Sequence, residues 1–201
     1  MSNLLYANFS RMIRNKLFLI GMGFMFFAGS FLCFQQYRQL VGYHAQVKLD
    51  STFFTYTLMI GVISAIFCSL FVGVEYNDGT MRNKIIAGHK RTEIYFSNLI
   101  VNIVASFLMC GSYILANVVV GIPMIGTLTI PINKVLLIVF GSLITVVAFC
   151  SIFTMISLLV SSKAIAPIIC ILFVFLSIAF LNECLYCCRY GVKRTYPRST
   201  Y

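Results

Sequence analysis

Residues 75–93 read EYNDGTMRNKIIAGHKRTE, and this stretch decides how the rest of the chain must fold. It holds seven of the twenty charged side chains (fifteen basic, five acidic) and lies between two long apolar runs. A segment this polar is expected to lie in water, whereas its flanks are suited to lipid. Its excess of Lys and Arg predicts that this water is cytoplasmic, because basic residues favour the inner side of a membrane.

The composition of the whole chain indicates an integral membrane protein. Of its 201 residues, 60% are hydrophobic and only 10% are charged, and the mean hydropathy is +0.95. Soluble domains are about a quarter charged, so polar side chains are too few here to cover a water-soluble particle. The net charge of +10 does not indicate nucleic-acid binding. The basic residues stand at the ends of apolar runs, where they set membrane orientation.

Charge-free intervals predict five membrane-spanning helices, since about 20 apolar residues cross the hydrocarbon core. They cover residues 17–37, 51–74, 94–121, 135–162 and 164–182. The third is expected to end near Gly121, because Pro123 and Gly126 follow it. The predicted fold class is therefore all-α and polytopic. One transmembrane domain covers residues 1–182, and a basic, cysteine-containing tail, residues 183–201, is not expected to form an independent domain.

Residues 3–15, which precede the first predicted span, show weak amphipathic spacing. Four apolar residues share one face of a helix there: Leu5, Phe9, Met12 and Ile13. Three polar residues lie off that face: Asn8, Arg11 and Asn15. A helix lying on the membrane surface fits this spacing. A disordered basic leader is the alternative.

Counts of Lys and Arg predict the orientation of the spans. The leader, the stretch 75–93 and the last connection carry eight: Arg11, Arg14, Lys16, Arg82, Lys84, Lys90, Arg91 and Lys163. The connections on the other side carry three: Arg38, Lys48 and Lys134. The N-terminus is therefore expected in the cytoplasm. The tail departs from this rule, since alternation places it outside although it is basic.

Two patterns within the apolar runs predict contacts between helices. Small residues recur every four positions in the second span: Gly61, Ala65, Ser69 and Gly73. Such a stripe lets helix backbones approach closely in lipid, and lining of a substrate path is the alternative. Asn98 and Asn102 share a face of the third span and are expected to hydrogen-bond to neighbouring helices. The predicted spans contain no charged side chain, which argues against an ion-coupled carrier.

No catalytic, cofactor or metal site is predicted. The chain lacks the Gly-Lys-Ser or Gly-Lys-Thr end of a phosphate-binding loop. Cys184, Cys187 and Cys188 lack a second ligand pair at zinc spacing, and His44 and His89 fall in opposite loops. If the protein performs work, a partner must hydrolyse the nucleotide.

Within the stretch 75–93, the residues that favour a short helix are Thr80, as its N-cap, and Gly88, as its end. Two apolar residues, Met81 and Ile85, are expected to form an exposed edge beside two basic ones, Arg82 and Lys84. Thr92 is expected to cap the next span. A basic, partly apolar helix is suited to a groove on another protein. A solvated loop that only sets topology is the alternative.

Residues 71–95, FVGVEYNDGTMRNKIIAGHKRTEIY, resemble the first cytoplasmic loop of the permease subunits of type 2 ABC transporters. The likeness rests on the pair Glu75-Tyr76, on Gly79-Thr80 before a basic helix, and on the closing Gly88-x-x-Arg91. It extends, through the order and spacing of the spans, over roughly residues 1–182. The resemblance implies a multi-pass protein of a bacterial cell membrane that exports its substrate. ATP and Mg would bind a separate ATP-binding subunit.

The resemblance also implies roles for particular residues. Residues 82–87 would be the coupling helix that contacts the ATP-binding subunit. The coupling loop as a whole would comprise Glu75, Tyr76, Gly79, Thr80, Met81, Arg82, Lys84, Ile85, Gly88 and Arg91. Two permease subunits, identical or different, and two ATP-binding subunits would form the working unit.

The number of spans departs from the family pattern, since family members have six and five are predicted here. We therefore hypothesise that the sequence is truncated or frame-shifted after about Asn182. This departure also sustains an alternative function, a non-transporting membrane protein such as an assembly factor or an inactive truncated paralogue. An ion-coupled carrier is the less favoured alternative.

Overall fold

The computed structural model describes residues 2–43, 52–53, 55–88, 90–126, 130–160, 162 and 164–195. Side chains are described for these residues except 2, 3, 43, 77, 182 and 184–195. Some predictions fall outside the described residues: the start of the second span at Ser51, and those on His44, Lys48, His89, Lys163 and residues 196–201. The side chains of Cys184, Cys187 and Cys188 are likewise outside the described part.

Every regular element of the described ranges is helical. The elements are α1 (Ser2–Arg14), α2 (Lys16–Tyr43), α3 (Tyr56–Asn77), α4 (Thr80–Ile86), α5 (Arg91–Ala116), a π-helical turn (Asn117–Gly121), α6 (Ile122–Ile125), α7 (Ile132–Leu159) and α8 (Ile165–Thr195). Four segments are long and apolar enough to cross a membrane: Lys16–Gly42, Tyr56–Tyr76, Arg91–Ile125 and Ile132–Leu159. The fifth predicted span corresponds to a shorter apolar segment of α8, Ile165–Leu181. The prediction of an all-α polytopic membrane protein is confirmed.

The leader forms α1 and packs against α5 and α2. Asn15 separates α1 from α2, and its side-chain oxygen accepts a hydrogen bond from the backbone N–H of Leu17 at 2.9 Å. The expected helix is therefore present, and the alternative of a disordered leader is wrong. The predicted face is wrong in two positions, because Asn8 is buried and Ile13 is 62% exposed. The face that packs inward follows the spacing of Leu4, Asn8 and Met12, all of which are buried.

α3 is the central helix of the bundle. It contacts α7, α8, α5 and α2. The small residues of its predicted stripe are all buried: Gly61, Ala65, Ser69 and Gly73. A Cβ atom at Gly61 would lie 3.4 Å from Val174 of α8, so the two helices run close together at this point. The packing role of the other three positions stays a prediction.

The third span does not end near Gly121 as predicted. Its backbone remains helical to Ile125, and Gly126, at φ 106°, ends it. Within the π-helical turn the N–H of Ile122 donates to the carbonyl of Asn117, five residues earlier. This wider turn shifts the hydrogen-bond register by one residue just before Pro123, which has no N–H to donate. The helix can therefore continue past the proline.

The leader and the stretch 75–93 lie at the same end of the bundle. Arg11 of α1 contacts Glu75 in the last turns of α3, and the hydroxyl of Tyr76 donates to the carbonyl of Leu158 near the end of α7. We call this the α4 end, defined by α1, α4, the last turns of α3 and α7, and the first turn of α5.

Candidate functional site around a buried glutamate

Glu75 lies near the C-terminal end of α3, and its side chain is fully buried. Its Oε1 accepts a hydrogen bond from Arg11 Nη1 of α1 at 2.6 Å and another from Lys84 Nζ of α4 at 2.5 Å. Its Oε2 accepts a hydrogen bond from Asn98 Nδ2 of α5 at 3.0 Å. One carboxylate on α3 is thus bonded to side chains of three other helices.

Asn8 completes the arrangement from α1. Its Nδ2 donates to Ser97 Oγ at 3.0 Å and to Asn98 Oδ1 at 2.9 Å, while its Oδ1 accepts from Lys84 Nζ at 3.1 Å. We call this set the Glu75 cluster: Asn8, Arg11, Glu75, Lys84, Ser97 and Asn98. All its buried side-chain polar atoms have partners. A fully satisfied polar network of this kind makes its members rigid relative to one another.

Arg11 is held over the last turns of α3 by two further contacts. Its Nη2 donates to the backbone carbonyl of Phe71 at 3.2 Å, and its guanidinium carbon lies 4.0 Å from the centre of the Phe71 ring, a cation–π contact. The Arg11 side chain is 30% exposed and that of Lys84 is 15% exposed. The cluster is therefore buried at its carboxylate and reaches the surface at its two cations.

Electrostatics opposes separation of the members of the cluster. A carboxylate removed from water is costly unless it is paired and hydrogen-bonded, and here Glu75 has two cationic partners and an amide donor. Moving α4 away from α3 would separate Lys84 from Glu75. The buried carboxylate of Glu75 would then keep one cationic partner instead of two. A displacement of α4 is therefore expected to move α3 with it.

The burial of Glu75 contradicts the expectation that the whole stretch 75–93 lies in water. Of the partners that compensate its charge, Lys84 is nine positions away, whereas Arg11 lies 64 positions earlier in the sequence. Asn98 was predicted to link helices, and this is confirmed, as it is for Asn102, whose Nδ2 donates to Thr154 Oγ1 of α7 at 2.9 Å. The contributions of Asn8 and Ser97 were missed, since nothing in the local sequence distinguishes them.

α4 is the short helix expected in this stretch, but its start differs from the prediction. Gly79 precedes it at φ 66°, a left-handed conformation that suits glycine. Because this tight turn brings Thr80 into the helix itself, Thr80 is not the N-cap. Its hydroxyl donates instead to the carbonyl of Glu75 at 3.1 Å. Gly88, at φ 86°, ends the helix as predicted, and its N–H donates to the carbonyl of Ile85.

The start of α5 also differs from the prediction. Thr92 is not its N-cap, because the helix already begins at Arg91. Lys90 occupies the cap position and makes no side-chain capping bond.

The residues on the buried and exposed faces of α4 differ from those predicted. Met81 is buried against α3 and α5 and so does not form an exposed edge with Ile85. Lys84, three residues later on the same face, reaches Glu75. The outward face consists of Arg82, Ile85 and Ile86, with Ile85 46% and Ile86 77% exposed.

Exposed cations lie on this face and in the residues that follow α4. Arg82, Lys90 and Arg91 are exposed, and the ion pairs of the described chain, Arg11–Glu75 and Lys84–Glu75, do not include them. The α4 end therefore presents two exposed isoleucine residues beside cations that have no ion-pair partner in the described part of the chain, on a helix whose other face is bonded to the bundle.

The apolar helices and the charged α4 end define a membrane-spanning subunit, and the comparison with known families assigns its class. Residues 4–179 match the model of the ABC-2 family transporter protein. The chain belongs to this family and is a permease of the type 2 ABC transporter class. No curated protein and no solved structure matches the chain.

Proposed function

We propose that this permease exports its substrate with energy from ATP that a separate ATP-binding subunit hydrolyses, and that this subunit docks on the outward face of α4. The observation that carries the proposal is the Glu75 cluster, through which α4 is bonded to α1, α3 and α5. ATP and Mg would bind the partner subunit. Two permease subunits, identical or different, and two ATP-binding subunits would form the transporter.

The coupling would proceed from the outward face of α4 to the membrane spans. Arg82, Ile85 and Ile86 would contact the ATP-binding subunit, whose closure displaces α4. Lys84, on the opposite face, passes that displacement to Glu75 of α3. Because α3 contacts α7 and α8 as well as α5, the movement reaches the remaining spans through the central helix.

The proposed orientation places α1 and α4 in the cytoplasm. The distribution of cations over residues 2–160 supports it, with seven basic residues at the α4 end: Arg11, Arg14, Lys16, Arg82, Lys84, Lys90 and Arg91. The opposite end has Arg38 and Lys134 over the same described residues, and the basic residues after Asn182 depart from this asymmetry. Such an asymmetry favours the cytoplasmic side for the richer end.

Cysteine labelling tests this orientation. In a chain with Cys184, Cys187 and Cys188 replaced by Ser, Asn83→Cys places a thiol on α4 and Asn133→Cys places one at the opposite end. Both positions are exposed. We expect a membrane-impermeant maleimide to label Asn133→Cys in intact cells and Asn83→Cys only after permeabilisation. The reverse pattern would refute the orientation.

Reconstitution with the ATP-binding subunit tests the proposed function. We expect the two subunits to purify together, and the rate of ATP hydrolysis in proteoliposomes to depend on the permease and not on an ion gradient. A partner variant lacking the lysine of its phosphate-binding loop should abolish hydrolysis without preventing assembly. Failure to assemble would refute the proposal. Assembly without any effect on hydrolysis would instead favour a non-transporting assembly factor.

A further inference from the structure

A groove of about 420 Å³ lies at the α4 end, between α4, the beginning of α5 and the last turns of α7. Its walls are mainly apolar and include Ile85, Ile94, Met155, Leu158 and Leu159. It is separate from the Glu75 cluster, none of whose members lines it.

The wall of the groove that α7 forms is apolar and exposed. Met155 and Leu159 of α7 are 55% and 73% exposed, whereas Phe153, Thr154 and Ser157 on the packed face of the same helix are buried. α7 is one of the four membrane-spanning candidates, so its exposed apolar side chains near the α4 end face the hydrocarbon of the nearer leaflet. An acyl chain can therefore enter the groove from the side.

Among the described residues that line the groove, the charged one is Arg91. The hydroxyls of its two tyrosine residues are already used, since Tyr76 donates to Leu158 and Tyr95 donates to the carbonyl of Ser151 at 3.3 Å. Arg91 lines the groove, is exposed, and has no hydrogen-bond or ion-pair partner among the described residues. It is the first residue of α5, which begins a membrane-spanning candidate, so we expect Arg91 near the boundary between membrane and water; the exposed Lys90 directly precedes it.

We propose that this groove binds an anionic phospholipid of the leaflet nearest to α4. Its headgroup phosphate pairs with Arg91, which can bind it with two N–H donors, and Lys90 adds attraction. Its acyl chain lies against Ile94, Leu158 and Leu159. A segment of a soluble partner would have to enter from the water, whereas the exposed wall of the groove is the lipid-facing side of α7. The proposal requires no ATP-binding subunit.

Native mass spectrometry of the full chain tests this site. The protein is purified from vesicles containing equal amounts of phosphatidylglycerol and phosphatidylcholine, and the retained lipid is measured. We expect a preference for phosphatidylglycerol that Arg91→Gln lowers about fivefold, the effect of one basic residue near a membrane surface. Met155→Trp, which fills the groove from its lipid-facing side, should lower retention of both lipids.

The matched control is Arg82→Gln, which removes an exposed cation at the same end but outside the groove. It should leave the lipid preference unchanged. An equal loss in Arg91→Gln and Arg82→Gln would show diffuse attraction and overturn the proposal, as would unchanged retention in both groove variants. If Met155→Trp loses the ATP-binding subunit while its lipid retention is unchanged, the occupant is a protein and the lipid assignment is wrong.

Discussion

Glu75→Gln is expected to lower the free energy of unfolding by about 3 kcal/mol, since removal of one partner from a buried ion pair costs about 3–5 kcal/mol. The lower end of that range applies because Arg11 and Lys84 are themselves 30% and 15% exposed and can regain some hydration. The substitution keeps the size of the side chain but leaves both cations without a counter-charge. Thermal or denaturant unfolding of the purified protein in detergent measures the loss.

Asp78→Asn is the matched control for this prediction. Asp78 is acidic, lies three residues after Glu75 and is exposed, without an ion-pair partner among the described residues. Its neutralisation should change stability by less than about 0.5 kcal/mol.

Lys84→Met should cost less stability in the Glu75→Gln background than in the wild type, because the two residues interact directly. Strict additivity of the two substitutions would contradict the role given to the ion pair.

The double variant Arg82→Glu/Ile86→Asp is expected to weaken binding of the ATP-binding subunit by at least about 30-fold, the effect of losing one interface hot spot. It reverses one charge on the outward face of α4 and introduces another in place of an isoleucine that is 77% exposed. Neither Arg82 nor Ile86 contributes to the Glu75 cluster, so membrane insertion and thermal stability should be unchanged. Co-purification with the partner measures the loss.

Its control makes the same change in charge at the opposite end of the bundle. Asn133→Asp/Lys134→Glu also reverses one basic residue and adds one acidic residue, and both positions are exposed. This variant should retain the ATP-binding subunit. Lys84 is left unchanged in both variants. Its replacement would disturb the Glu75 cluster, and a loss of docking could then not be told apart from a loss of stability. Undiminished co-purification of Arg82→Glu/Ile86→Asp would show that the partner does not use this face.

Together the two experiments separate docking from transmission. Arg82→Glu/Ile86→Asp should lose the partner and keep a stable bundle. Glu75→Gln should weaken the bundle while the outward face of α4 keeps its composition. If both variants lose the partner and stability to the same degree, α4 does not have two functional faces.

The amino-acid sequence by itself determined the class of the protein, the five apolar segments and the short helix that ends at Gly88. These follow from local properties, namely the length of charge-free runs, the position of glycine and the placement of Lys and Arg at the ends of the spans. The family was also accessible from sequence, because its loop pattern is contiguous in residues 71–95 and the match extends over residues 4–179.

Only the tertiary structure decided which polar side chains at the α4 end are buried. Glu75 is acidic and lies in a charged stretch, so its local sequence favours exposure, yet Arg11, Lys84 and Asn98 from three other helices compensate its burial. The π-helical turn and α6, which continue the third span past Pro123, both pack against α2, a contact that the local sequence does not show. Contacts between residues distant in sequence set these features, because the free energy of a buried charge or of a wide helical turn depends on the neighbours that surround it.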